Sequence, residues 1–169
     1  MPLSKIDSAS LNSGAVTTTA LAAGSVAQTN LSAGVAGNGP AFSAYKSSAQ
    51  TLSTTTFTKI LFETEDYDTN SNFASSTFTP TVAGYYQINA AINIATAATQ
   101  IILRIYKNGS LFRSGTNVNS VSAISTSSMV FCNGSTDYIE IYGWLGVGQG
   151  LPTGQSNCYF DGAMIRSAT

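Results

Sequence analysis

The side chains most suggestive of chemistry form an acidic string in the first half of the chain: Asp66, Asp68, Asn70 and Asn72. Oxygen ligands at alternate positions are the pattern by which loops hold Ca²⁺. The string lacks the glycine that such a loop carries at its sixth position and the glutamate at its twelfth, where Thr77 stands. We therefore predict a solvated acidic loop over residues 63–72, with a calcium site as the alternative.

The residues of nucleophilic and zinc-dependent catalysis are scarce. The chain contains no histidine, which removes serine–histidine and cysteine–histidine dyads and the usual zinc sites. Its carboxylates crowd onto one loop, whereas glycoside hydrolysis needs a pair of them across a cleft. For Cys132 and Cys158, the two cysteines, we predict reduced thiols in strands, with a bridge between neighbouring strands as the alternative. The sequence thus predicts a protein that is not an enzyme and uses no cofactor.

One strand-like segment, residues 138–145 (YIEIYGWL), combines an aliphatic face with an aromatic face. The positions expected to face a core are Ile139, Ile141 and Leu145. The opposite face then carries Tyr138, Tyr142 and Trp144. Covering one such aromatic side chain buries about 150–250 Å², a gross gain of roughly 4–6 kcal/mol at about 25 cal/mol/Å². We therefore predict that these three residues form a contact between subunits; a platform for a sugar ring and coverage by the chain's own loops are the alternatives.

Short strands separated by turn residues must position these side chains. Residues 85–94 (YYQINAAINI) alternate between apolar and polar positions, as a half-buried strand does. Residues 101–107 (IILRIYK) lead into Asn108-Gly109, the strongest short hairpin signal, and Asn133-Gly134 marks a second turn. No stretch of twelve residues has helical periodicity. About eight to ten short strands in roughly 130 residues predict an all-β sandwich, barrel or jelly roll.

The beginning of the chain repeats with a period of ten residues. Leucines recur at 11, 21 and 31, glycines recur at 14, 24 and 34, and Val16 matches Val26. A helix would place these leucines on drifting faces and would suffer a glycine in every repeat, so we predict an extended arm over residues 1–39. Because so few apolar residues cannot bury themselves, the arm is expected to pack on a partner, with a flexible linker as the alternative. The predicted anchors are Leu11, Val16, Leu21, Val26 and Leu31.

The break at Gly37-Asn38-Gly39-Pro40 separates the arm from a knob over residues 40–169. This knob resembles the complement-q and tumour-necrosis-factor type of jelly roll, in the version found among bacteriophage proteins. The matching motifs are FTP at 78–80, AGYY at 83–86, IYKNG at 105–109 and YFDG at 159–162. The resemblance implies a homotrimer around an axis lined by apolar and aromatic residues. The arm resembles the LxxGxV decads of phage fibres and other trimeric virion proteins.

Charge and hydropathy remove two classes of partner. Charged residues make up 9% of the 169 residues, and the seven lysines and arginines are spread singly. Recognition of phosphates needs clustered cations, so no nucleic acid partner is predicted. No segment approaches the roughly 18 apolar residues of a membrane span, and no secretion signal is evident, so we predict no membrane insertion and synthesis in the host cytoplasm.

Taken together, these features predict a structural protein of a virion. The main hypothesis is a homotrimeric capsid decoration (cement) protein. Its arm would strap onto the major capsid protein of the phage head, and its jelly-roll knob would project from the capsid surface. The alternative is the tip of a tail fibre or adhesin, which would bind a glycan on the host surface through the same knob.

Overall fold

The computed structural model describes residues 37–168, which fold into strands. The arm repeat and its predicted anchors, Leu11, Val16, Leu21, Val26 and Leu31, lie outside the described residues. The strands are β1 (Ala41–Tyr45), β2 (Gln50–Leu52), β3 (Thr58–Lys59), β4 (Thr64–Asp68), β5 (Phe73–Ala74), β6 (Thr77–Phe78), β7 (Gly84–Ala98), β8 (Ile101–Lys107), β9 (Ser110–Val118), β10 (Val121–Cys132), β11 (Ile139–Leu145), β12 (Gln149–Leu151) and β13 (Cys158–Ser167). The predicted all-β class is confirmed.

Two antiparallel sheets pack face to face. The first sheet has the strand order β10-β7-β13-β1-β4, and the second has the order β5-β6-β11-β8-β9, with β3 also paired to β11. A small third sheet joins β12 to β2. The strands are more numerous than the sequence suggested because five of them, β2, β3, β5, β6 and β12, are pieces of two or three residues between the longer ones.

The core lies between the two sheets and is built from alternate residues of each long strand. Along β7 the inward positions are, as predicted, Tyr86, Ile88, Ala90, Ile92 and Ile94, each at most 4% exposed. Aromatic rings fill the widest part of the core. The ring centroid of Phe42 lies 4.9, 4.3 and 4.8 Å from those of Phe73, Phe78 and Phe160. This cluster ties the first sheet to the short strands of the second.

The two asparagine–glycine turns have different roles. Asn108 and Gly109 both have positive φ, 54° and 73°, which is the geometry of the two-residue hairpin that the sequence predicted between β8 and β9. Asn133-Gly134 instead carries the chain from the first sheet to the second. A Cβ on Gly134 would lie 2.4 Å from the backbone nitrogen of Ala83, so this turn packs tightly on the segment before β7.

The hairpin between β5 and β6 turns on two serines in the left-handed region, Ser75 with φ of 50° and Ser76 with φ of 58°. Ser75 is exposed, whereas Ser76 is buried. The Ser76 hydroxyl accepts a hydrogen bond from the N–H of Phe62 at 2.8 Å and donates one to the Phe62 carbonyl at 3.2 Å. The side chain of Ser76 therefore satisfies the backbone N–H and carbonyl of Phe62, which would otherwise need a neighbouring strand as their partner.

Replacing Ser76 with alanine should destabilise the knob by about 1–3 kcal/mol, because the buried backbone groups of Phe62 lose their partners. Ser75→Ala is the matched control, since it makes the same change at a similar φ on an exposed side chain. Denaturant unfolding of the two variants measures the difference. Equal stabilities would show that the backbone conformation, and not the pair of hydrogen bonds, decides the effect.

Candidate assembly surfaces

The aromatic residues singled out in the sequence lie on the outer face of the second sheet. Tyr142 and Trp144 belong to β11, and Tyr138 directly precedes this strand. Each of the three side chains is half-buried. The alternate positions of β11, as predicted, are fully buried in the core: Ile139, Ile141 and Leu145. The structure therefore brings the predicted aromatic residues onto one face.

Residues from other parts of the chain extend this face and cover part of it. The ring of Tyr106, on β8, stacks on that of Tyr142 with a centroid distance of 4.1 Å and an interplanar angle of 24°. The Phe57 ring lies 6.5 Å from that of Trp144, and the Arg104 guanidinium lies 3.7 Å above the Phe57 ring. We call these five aromatic residues the aromatic column: Phe57, Tyr106, Tyr138, Tyr142 and Trp144.

The electrostatics of the column keep its central phenol neutral. Burial raises the pKa of Tyr142 above its ordinary value, and the nearby carboxylate of Glu140 raises it further. Glu140 is itself paired with Lys59, whose Nζ lies 2.7 Å from its Oε1. The column therefore presents uncharged rings beside a neutralised ion pair, a surface suited to packing or stacking.

A second apolar surface, which the sequence reading missed, lies on the outer face of the first sheet. Eight large hydrophobic side chains are exposed in the part of the chain that the structure describes, and four of them cluster here. We call these four the basal patch: Tyr85 (39% exposed), Met129 (54%), Phe131 (42%) and Ile165 (42%). The rings of Tyr85 and Phe131 lie opposite each other on β7 and β10, with centroids 5.3 Å apart.

The basal patch borders a cleft of about 510 Å³, lined by Tyr85, Met129, Ile165, Arg166 and Ala168. It lies at the end of the sandwich where the described chain both enters and finishes. There the Met164 N–H donates to the Pro40 carbonyl at 2.9 Å, and the Ala168 N–H donates to the Ala83 carbonyl at 3.1 Å. We call this end of the knob its base.

The centre of the same outer face carries small and polar side chains and one carboxylate, that of Asp161, which accepts a hydrogen bond from Asn89 Nδ2 at 2.8 Å. Ala91 on β7 lies directly opposite Ser125 on β10, so small side chains occupy this part of the sheet. Closer to the base, the Oγ of Ser127 receives a hydrogen bond from Gln87 Nε2 at 2.6 Å and donates one to Asn89 Oδ1 at 2.8 Å. These polar groups satisfy one another within the sheet, which leaves a surface that another sheet can approach closely.

A buried carboxylate holds the base together. The Asp137 carboxylate accepts hydrogen bonds from Asn108 Nδ2 at 2.7 Å and from the Asn133 N–H at 2.9 Å, and it lies 2.8 Å from Lys107 Nζ. Burial alone would raise the pKa of Asp137, but the three donors and the lysine charge outweigh it and hold this pKa below its ordinary value of 3.8. Lys107 also donates to the carbonyl of Phe131 at 2.8 Å, which links the carboxylate to the basal patch.

Much of the acidic segment is a strand, so the prediction of a loop over residues 63–72 is wrong for residues 64–68, which form β4 and pair with β1. The two oxygens of Asp68 accept hydrogen bonds from the N–H groups of Asn70 and Phe73, at 3.3 and 2.7 Å, and Asp66 accepts one from the Gln155 side chain. These contacts occupy the carboxylates that the calcium alternative would need. Among residues 37–168 no group of three or more metal-binding side chains comes together.

Glu63, at the start of the acidic segment, is paired with Lys46, a lysine whose burial no sequence pattern predicted. Lys46 is fully buried, and its Nζ lies 3.2 Å from Glu63 Oε1 and donates to the Leu61 carbonyl at 3.0 Å. Burial would raise the pKa of Glu63, but hydrogen bonds from the Ser47 N–H and from Lys46 lower it overall. The pair therefore anchors the start of the loop after β1 to the segment between β3 and β4.

The two cysteines are separate free thiols, as predicted, and both are buried in strands. Burial raises the pKa of Cys132 to about 12, so this thiol stays protonated and unreactive at neutral pH.

In the range that the structure covers, no helix is long and apolar enough to cross a membrane.

Comparisons with known proteins give relatives in structure but none in sequence. No protein-family model matches the chain, and no curated protein matches it. Three solved structures align over their nearly complete length. The globular domain of zebrafish complement 1qA has a TM-score of 0.54 at 20% identity, over 76% of this chain and 98% of that one. The vertex protein P5 of phage PRD1 has a TM-score of 0.59 at 14% identity, over 75% and 97%. The Eiger TNF of S. frugiperda has a TM-score of 0.55 at 7% identity, over 76% and 94%.

The knob has the complement-q and tumour-necrosis-factor jelly-roll fold. The resemblance seen in the sequence motifs is thereby confirmed at the level of the fold. Within this jelly roll, the aromatic column lies on the second sheet and the basal patch on the first, so the knob carries two distinct surfaces on which a partner could pack.

The ionised Asp137 carboxylate makes the stability of the jelly roll depend on pH. Because its pKa is lowered on folding, Asp137 contributes stability above its ordinary pKa and loses it as the pH falls through the lowered value. We expect Asp137→Asn to reduce the free energy of unfolding by about 2 kcal/mol at pH 7, because hydrogen bonds to a charged group are lost. The difference from the wild type should shrink as the pH falls from the ordinary value of 3.8 through the lowered pKa.

Urea unfolding at a series of pH values measures this effect. Asp66→Asn, at an exposed carboxylate, is the matched control and should cost less at pH 7. A difference between wild type and Asp137→Asn that stayed constant down to pH 2 would contradict the role given to the ionised carboxylate.

Proposed function

We propose that this chain is a structural protein of a phage virion, a homotrimeric capsid decoration (cement) protein. The observation that carries the proposal is the position of uncovered apolar surface: the knob leaves the basal patch exposed at the same end from which the arm departs. A protein whose carboxylates are engaged in structural hydrogen bonds and whose exposed rings cluster on two faces is suited to assembly rather than to catalysis. The fold likeness to a vertex protein of phage PRD1 supports a place on a virion.

The arm, residues 1–39, is the proposed anchor to the major capsid protein. Fully extended, it would reach at most about 140 Å, far beyond a knob whose radius of gyration is about 14 Å. Its leucines and valines, from Leu11 to Leu31, would fill apolar sites on the shell. Because the chain enters the knob at its base, the opposite end would point away from the capsid. The loops at that end include residues 99–100 and 119–120, where the Ser120 N–H donates to the Ala98 carbonyl.

Two faces compete as the contact between the three copies. The aromatic column is the interface predicted from the sequence, through Tyr138, Tyr142 and Trp144. Its rings, however, already pack on one another and on Arg104, which leaves them half-buried within one subunit. The outer face of the first sheet has a flat centre at Ala91 and Ser125 and more exposed apolar area. We therefore propose the first-sheet face as the contact and retain the column as its competitor.

The column also motivates the alternative function, a tail-fibre or adhesin tip that binds a host surface glycan. Aromatic faces stack on the apolar faces of sugar rings, and half-exposed Trp144 and Tyr138 are the side chains available for such stacking. If the first-sheet face joins the three copies, the column points outward and is free to meet a ligand. This function shares the fold and the trimer with the first proposal and differs in what the knob touches.

Substitutions on the two faces test the contact between copies. Ser125→Arg places a large charge in the flat centre of the first sheet and should yield a 17.5-kDa species in sedimentation instead of one three times heavier. Tyr142→Asp and Trp144→Ala make the corresponding change on the column and should leave the trimer intact. Monomers from the column variants alone would transfer the interface to the column. Trimers from every variant would contradict both assignments, and a monomeric wild type would end the trimer proposal.

Deletion of residues 1–36 tests the role of the arm. The shortened protein should remain a soluble trimer but fail to bind phage heads that lack the protein, as measured by co-sedimentation with the heads. Binding of the shortened protein at wild-type level would show that the arm is not the anchor.

Densitometry of purified virions separates the two functions: decoration requires a copy number comparable with that of the capsid subunits, whereas a tail tip requires a few dozen copies or fewer.

A further inference from the structure

We propose that the cleft at the base of the knob is the seat of the last part of the arm, residues 33–36, with Val35 as the side chain that fills it. This seat is separate from the capsid anchors and does not depend on the decoration function. It assigns an occupant to a cleft of about 510 Å³ whose walls combine the exposed apolar side chains of Met129 and Ile165 with Arg166.

The path of the chain supports this occupant. Gly39 packs against the side chain of Met164, so closely that a Cβ on Gly39 would lie 2.2 Å from Met164 Cε. Met164 directly precedes Ile165 in β13, which lines the cleft. Gly37 has a φ of 91°, a left-handed conformation that turns the chain there away from the line of β1. An extended chain spans at most about 3.6 Å per residue, so Val35 lies within about 14 Å of Gly39 and can reach the cleft.

The sequence of the arm supports the same residue. In the first two repeats the valine follows its leucine by five positions, as Val16 follows Leu11 and Val26 follows Leu21. In the third repeat Val35 follows Leu31 by only four. Because Val35 is out of register with the anchors, it is not expected to bind the surface that they bind. A separate binding surface for Val35, on the knob, would account for this one-residue change in spacing.

The chemistry of the cleft and the arm is complementary. The chain has no charged residue between Asp7 and Lys46, so burying residues 33–36 removes no charge from water. Alanines flank Gly34 and Val35, and such small side chains would allow the arm backbone to lie close to the Tyr85 ring and the Met129 thioether that line the cleft. The valine would cover apolar surface that is otherwise left in water.

Oxidation of Met129 tests the proposal in the full-length protein. The chain has three methionines, and Met164 is 5% exposed, which makes it an internal buried reference. Met129 is 54% exposed on the knob surface and should react with hydrogen peroxide about as fast as N-acetylmethionine amide if nothing covers it. With the arm seated, peptide mass spectrometry should show Met129 oxidised several-fold more slowly than the free compound. Val35→Asp should remove this protection.

Val26→Asp is the matched control, because it makes the same change in the same arm at a position that belongs to the capsid-anchor register. It should leave the oxidation rate of Met129 unchanged. Val35→Ala is the milder variant and should give a partial loss of protection if Val35→Asp fails to fold. Unprotected Met129 in the wild type, or equal effects of the variants at 26 and 35, would overturn the proposal.

Monomeric Ser125→Arg separates this proposal from contact between copies. If the arm covers the cleft, Met129 stays protected in the monomer and at high dilution. If protection is lost in the monomer, or on dilution of the wild type, a second copy covers the cleft and the seat for Val35 is wrong. The result therefore decides the occupant independently of whether the protein decorates a capsid.

Discussion

The geometry of the extended backbone is the constraint on which this molecule depends. In a strand, each side chain that points into the core sends its two neighbours to the outside, so a sequence rich in apolar residues cannot hide all of them between two sheets. The knob fills its interior with the Phe42 cluster and the inward residues of β7. The rings and aliphatic chains left over lie on the outer faces, and the organisation of those faces determines what the protein can bind.

The scarcity of charge shapes how the outer faces are held. Charged residues make up only 9% of the chain. Each ion pair that the structure shows joins two segments that are separate in the sequence. Lys46 and Glu63 fix the loop after β1, Lys59 and Glu140 lie beside the aromatic column, and Asp137 closes the base. Elsewhere serine, asparagine and glutamine satisfy one another, as Gln87, Ser127 and Asn89 do. Long-range electrostatic attraction is therefore weak, and short-range fit between surfaces becomes the main source of affinity.

Much of the fold could be predicted from local sequence patterns. The rest depends on the register between strands that lie far apart in the sequence. The alternation in residues 85–94 and the Asn108-Gly109 turn predicted β7 and the β8–β9 hairpin, and the outward face of β11 was predicted from eight residues. The pairing of Tyr106 with Tyr142 depends on the β8–β11 register, which no single segment specifies. The basal patch joins Tyr85 to Ile165, which are 80 positions apart in the sequence. The spacing of the acidic string suggested a cation, but in the fold the Asp68 carboxylate accepts hydrogen bonds from backbone N–H groups and that of Asp66 accepts one from the side chain of Gln155, 89 positions away in the sequence.

The entry and exit of the knob chain at one end bear on how the molecule can be engineered for display. A peptide fused after Ala168 would emerge beside Ala83, at the base of the knob, and under the proposed function it would face the surface to which the arm binds. Cargo intended to face outward belongs instead in the short connections at the opposite end, between β7 and β8 or between β9 and β10. There an insertion interrupts neither the core nor the base.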